Sequence, residues 1–137
     1  MNPFSKGSKL DYTQNEIMNK RIILLEDDPG VRDVIELILE LEGYQVASFE
    51  TVEKLMSRPL QESPDLFILD VMLPDGNGIE VCRELKAIGD QVPILMMSAH
   101  AMERDISTSC SAEAFIAKPF DINNLINTIT RLVNDNL

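Results

Sequence analysis

Residues 20–31 read KRIILLEDDPGV, and this stretch decides the architecture. Arg21 to Leu25 is a short, branched, continuously apolar run, the pattern of a strand covered on both faces. Glu26, Asp27 and Asp28 follow without a break. Asp28 and Pro29 form a helix start, a capping carboxylate before a first-turn proline. Val31, Val34, Ile35, Ile38 and Leu41 then recur at helical spacing as far as Gly43, which ends the helix. A doubly covered strand that runs through a charged turn into an amphipathic helix is the opening of a parallel α/β sheet.

The alternation repeats downstream. Tyr44 to Ser48 is expected as a strand, Thr51 to Ser57 as a helix, and Leu66 to Leu69 as a buried strand ending at Asp70. Gly78 to Ile88 is the next helix, with Ile79, Cys82 and Leu85 inward, and Pro93 to Met97 the next buried strand. A poor helix over Met102 to Ser109 and a fifth strand over Ala114 to Ala117 precede the last helix. Its apolar face is Ile122, Leu125, Ile126, Ile129, Leu132 and Val133. Parallel crossovers are right-handed and their helices must cover the sheet. The expected fold is therefore a doubly wound five-stranded parallel sheet in a flavodoxin-like three-layer sandwich. Its strand order is 2-1-3-4-5, with a ligand site where strands 1 and 3 end.

The 137 residues suit one domain that folds without disulfide or metal support. Residues 1–17 lack either periodicity and are read as a flexible N-terminal extension or leader, with the domain spanning 18–137. No apolar run reaches the roughly 20 residues of a membrane span, and no signal peptide opens the chain. A net charge of -11 repels a nucleic-acid backbone, so direct nucleic-acid binding is not expected. The lack of a signal peptide makes a cytoplasmic location the expectation. Two cysteines and one histidine cannot build a disulfide framework or a zinc cluster. Cys82 and Cys110 are read as packing and loop residues and His100 as a surface histidine.

The expected topology brings Glu26, Asp27 and Asp70 to one sheet edge, where their repulsion calls for a hard divalent cation. Mg2+ suits an oxygen site that keeps positions for water and phosphate. For Asp28 the capping role ranks first. The fourth strand delivers Ser98 and the fifth Lys118-Pro119. A carboxylate nucleophile at Asp70, a cation site, the Ser98 hydroxyl and the Lys118 ammonium are the groups that transfer of a phosphoryl group to Asp70 requires.

Four separated motifs, LLEDDP, FILDVMLPDGNG, MMSA and AFIAKPF, occur in this order. Through them the chain, from about Lys20 to Val133, resembles the receiver domains of two-component response regulators, of the single-domain chemotaxis type. The resemblance implies Asp70 as phospho-acceptor, Asp27 as a direct metal ligand and Glu26 as an outer member of the acidic pocket. It also implies the Met72 backbone carbonyl as a ligand, Ser98 as switch hydroxyl, Phe115 as switch aromatic, Lys118 as phosphate partner and Pro119 in a cis-peptide turn. Some positions depart from the common pattern. The interval from Ser98 to Lys118 is about two residues short, Ser111 replaces a frequent Gly, Ala114 replaces an acidic residue, and Arg131 is the only basic residue of the last helix.

The expected function is a stand-alone signalling module rather than a conventional enzyme. It takes phosphate from a sensor histidine kinase or histidine phosphotransfer protein and acts through phosphorylation-dependent binding of a protein target. Self-catalysed phosphotransfer and slow autodephosphorylation are part of that expectation. The alternative is a receiver fragment of a larger DNA-binding transcriptional regulator. An Asp-nucleophile phosphatase is disfavoured because Asp70-Val71-Met72 lacks a second acid to serve as proton donor. A flavin module is disfavoured because the acids after strand 1 repel its phosphate.

Overall fold

Runs of Ile, Leu, Val and Met without polar alternation can bury both of their faces, and the three central strands of a five-stranded sheet do so here, while the two outer strands are only partly buried. The computed structural model describes residues 20–59, 63–89, 91–99 and 110–134. The strands are β1 (Arg21–Leu25), β2 (Gln45–Phe49), β3 (Leu66–Asp70), β4 (Ile94–Ser98) and β5 (Ala114–Ala117), all parallel. Their order is β2-β1-β3-β4-β5, as the alternation predicts. The helices are α1 (Pro29–Leu41), α2 (Val52–Met56), α3 (Gly78–Ala87) and α4 (Ile122–Asn134). The expected helix over Met102–Ser109, His100 and the extension 1–17 lie outside the described residues.

Alternate residues of each strand face opposite layers. Ile22, Leu24, Ile68, Leu95, Met97 and Ile116 pack under α1 and α4, whereas Ile23, Leu25, Phe67, Leu69, Ile94 and Met96 pack under α2 and α3. Helix α1 begins as expected, with Asp28 Oδ1 accepting the amides of Gly30 and Val31 at 2.8 and 3.1 Å. It ends at Gly43, whose φ of 94° suits glycine.

The buried face of α1 differs from expectation. Ile35, Ile38 and Leu39 are buried, while Val34 is 48% and Leu41 76% exposed. At about 100° per residue, Val34 and Leu41 lie roughly a quarter turn from the stripe through Val31, Ile35 and Leu39. In α3 the inward residues are Val81, Cys82 and Leu85, with Ile79 only partly buried. In α4, Leu125, Ile129, Leu132 and Val133 are buried and Ile122 is exposed at the first turn.

Candidate functional site

Strand register sets the site. Leu25 pairs with Leu69, so Glu26 and Asp70 leave adjacent strands at the same level. Asp70 pairs with Met97 and Ser98 with Ala117, which steps Ser98 and then Lys118 one residue further along the same edge. Among the described residues the buried polar side chains are Glu26 (2% exposed), Asp70 (8%) and Ser98 (2%), all at this edge. Asp27 is exposed beside them.

Glu26 is the best-tethered of the acids. Its Oε1 accepts from Lys118 Nζ, and its Oε2 accepts the Asp28 amide at 3.1 Å. Burial pushes its carboxyl above the ordinary range. The Lys118 and Asp28 hydrogen bonds oppose that rise, and the Asp70 charge adds to it. For Lys118, burial alone would lower the ammonium, but the hydrogen bond to Glu26 and the Asp70 and Glu26 charges leave it raised. Lys118 Nζ also stands 3.4 Å from Asp70 Oδ2, within ion-pair range. Asp70 Oδ1 accepts the next amide, that of Val71, at 2.8 Å.

The carboxylates of Glu26, Asp27 and Asp70 each offer an oxygen, and these oxygens lie within 4.8 Å of one another. Opposite ligands of an octahedral Mg2+ are about 4.2 Å apart, so the oxygen set suits a small hard cation with little adjustment. The same cleft, about 420 Å3, is lined also by Met72, Ala99 and Lys118. Ser98 holds its place at the end of β4, its carbonyl accepting the Lys118 amide at 3.1 Å. Phe115 is half-buried against the α2 and α3 side of the sheet. Lys118-Pro119 is a cis peptide, as the resemblance implies. A second cavity, about 350 Å3 and lined by Ile22, Ile23, Val46, Ala47 and Arg58, shares no residue with this cleft.

Three contributors were missed from the sequence. Arg32 Nη1 donates to the carbonyls of Glu26 and Asp27, at 2.9 and 3.3 Å, and so braces the acidic turn from α1. Its position four residues after Asp28 was the only signal. Gly78 is required by close approach, because a Cβ there would stand 1.9 Å from the Asp70 carbonyl oxygen. Asp75 reaches from the loop after Asp70 to the start of α2, accepting the amides of Val52 and Glu53. The Pro-Asp-Gly string marks a turn but not the contact made by its carboxylate.

The family model described as response regulator receiver domain matches residues 22–130. PhoP of Bacillus subtilis, named an alkaline phosphatase synthesis transcriptional regulatory protein, is 34% identical over 119 residues, which is 83% of this chain and 50% of PhoP. A probable transcriptional regulatory protein of Picosynechococcus is 37% identical over 115 residues, 77% of this chain and 46% of that protein. The chain thus spans about half the length of these curated relatives. Among solved structures, a CheY-like receiver domain protein from Methanospirillum hungatei superposes with a TM-score of 0.78 at 27% identity, covering 85% of this chain and 94% of that one. TrrA of Thermotoga maritima, solved in complex with Mg2+-BeF, gives 0.75 at 27% identity, covering 83% and 99%. A family match that runs from β1 well into α4, on a sheet whose order and edge residues follow from its own sequence, has one consequence: this chain belongs to the response regulator receiver domain family.

Proposed function

We propose that Asp70 is the phospho-acceptor and that the chain takes its phosphoryl group from a phosphohistidine of a sensor histidine kinase or histidine phosphotransfer protein. An Asp70 carboxylate oxygen attacks phosphorus, the new O–P bond forms, and the P–N bond breaks with the imidazole leaving. The observation that carries this reading is the buried Asp70 carboxylate set 3.4 Å from Lys118 and beside Glu26 and Asp27. Asp27, Asp70 and the Met72 carbonyl would hold Mg2+, with Glu26 as the outer acid. When bound, this ion neutralises phosphoryl oxygens that the carboxylates would otherwise repel. Lys118 pairs with one phosphoryl oxygen and the Ser98 hydroxyl donates to another. Drawing Ser98 inward frees space for Phe115 to rotate, which turns a charge change into a packing change that a protein target reads.

The receiver begins near residue 18, acts in the cytoplasm, does not itself contact nucleic acid, and loses its phosphoryl group slowly by self-catalysed hydrolysis. No described helix is long and apolar enough to cross a membrane. A second reading, a receiver within a longer DNA-binding regulator, is favoured by the names and lengths of the curated relatives. In that case the target of the switch is a domain of the same polypeptide.

The test is incubation with Mg2+ and a small acyl phosphate, with the label located by mass spectrometry. Label on the Asp70 peptide, abolished in a folded Asp70→Asn variant, is the expected result. Equal labelling of that variant would remove Asp70 from the role.

A further inference from the structure

The segment from Val71 to Gly78 leaves the acceptor strand and returns to it as a small hairpin. Met72 pairs with Asn77 and Leu73 with Gly76, antiparallel, and the Gly78 amide closes the loop on the Val71 carbonyl at 2.8 Å. At its base the hairpin touches the acceptor directly, since Gly78 packs against the Asp70 carbonyl with no room for a Cβ. Met72, on its outgoing side, lines the cleft with Glu26, Asp27 and Asp70.

The other end of the hairpin is fastened to a different element. Asp75 Oδ1 accepts the Val52 amide at 2.9 Å and Oδ2 accepts the Glu53 amide at 3.0 Å. Thr51 Oγ1 accepts the Lys54 amide at 3.2 Å, so the first three amides of α2 are all satisfied, two of them by the hairpin. These two bonds hold the Asp75 carboxyl below the usual carboxylate range, although it is exposed to water. Gly76 reinforces the contact, because a Cβ there would stand 3.0 Å from Val52 Cγ2. The hairpin is therefore held at its base by Asp70 and at its tip by α2, with Met72 between the two anchors.

We infer that Asp75 is a positioning residue for the phospho-acceptor site, holding the hairpin so that Met72 faces the cation position, and that occupancy of this position is coupled through Asp75 to the start of α2. The inference rests on the reading that Asp70 and the Met72 carbonyl hold Mg2+. A carboxylate suits the task because each of its oxygens takes one amide. Asparagine has the same shape but only one accepting oxygen, and its NH2 would meet an N–H. Coupling between two sites is reciprocal, so a clasp that favours cation binding must itself be strengthened by the cation.

The experiment compares the whole chain with Asp75→Asn and Asp75→Glu. Mg2+ alone is titrated and followed by amide chemical shifts, and hydrogen exchange is measured at the Val52 and Glu53 amides with and without the ion. In the wild type, Mg2+ should slow exchange at these two amides while leaving those of α4 unchanged. Asp75→Asn should weaken Mg2+ binding by about fivefold or more, the lower end of typical coupling between sites, and abolish that protection. Asp75→Glu, which restores two accepting oxygens, should recover part of the affinity. If Asp75→Asn lowers the melting temperature of the metal-free chain but binds Mg2+ within twofold of wild type, Asp75 only caps α2 and the inference is overturned. A wild-type chain that does not bind Mg2+ at Asp70 would overturn the underlying reading as well, so the two failures are distinguishable.

Discussion

Replacing Gly78 with Ala tests the geometry of the acceptor with the smallest possible change. The added Cβ would stand 1.9 Å from the Asp70 carbonyl oxygen and 2.9 Å from its carbon, and contacts below 3.0 Å are essentially never observed. The obstacle is backbone of the acceptor strand, so the atoms must separate by about 1.1 Å and no side chain can rotate away to provide it. Overpacking of this kind costs about 3 kcal/mol, near the top of its usual range. Alanine is worth up to about 1 kcal/mol over glycine in a helix, and Gly78 is the first residue of α3, so a net loss of about 2 kcal/mol is expected. For a domain of this size that corresponds to a fall of roughly 6–10 °C in melting temperature. A displacement of about 1 Å at a reacting group can cost on the order of a hundredfold in rate, and acyl-phosphate labelling of Asp70 should slow accordingly. Gly30→Ala is the control: its Cβ would meet only the Asp28 Oδ1 side-chain oxygen, at 3.3 Å, and stability should change little or rise. Circular dichroism melts and a time course of labelling decide the matter. Wild-type labelling by Gly78→Ala, with a melting temperature within about 2 °C, would refute the argument that close approach at Gly78 sets the acceptor.

Asp27→Ala should erase most of the Mg2+-dependent rise in melting temperature, which at saturating ion corresponds to about 1 to 3 kcal/mol in the wild type. An unchanged response would place the ion elsewhere. Cys82, its thiol pushed up to about 12 by burial and by its hydrogen bond with Cys110, should resist iodoacetamide at pH 8 in the native chain and react once urea unfolds it. Because the folded thiol keeps its proton where the unfolded one ionises near 9.0, this group lowers stability progressively between pH 9 and about 12. A Cys82→Ala melt with unchanged slope across that window would count against it.

The parts of the molecule that were legible in advance are those whose cause is local. β1, β3 and β4 announce themselves because a strand buried on both faces has no polar alternation, and their ends are marked where Glu26, Asp70 and Ser98 break the apolar run. The start of α1 was legible because Asp28 caps its own helix. What was not legible depends on partners far away in the chain. Val34 and Leu41 fit an apolar period, yet which side of α1 faces the sheet is decided by α4 and the strands, and those leave both residues exposed. Arg32 looks like any helix-surface cation until the backbone of Glu26 and Asp27 turns its carbonyls toward it. The pairing of Lys118 is the most instructive case. Its type and place at the edge pointed to a phosphoryl oxygen; that its ammonium also pairs with Glu26, 92 positions away in the chain and the more buried of the two carboxylates it reaches, was not legible. That choice answers the repulsion expected from the acids alone. Burial, more than the Asp70 charge, is what raises the Glu26 carboxyl, and Lys118 opposes the rise. One ammonium between Glu26 and Asp70 lets both sit at the same edge, while Asp27, exposed to water, needs no such partner.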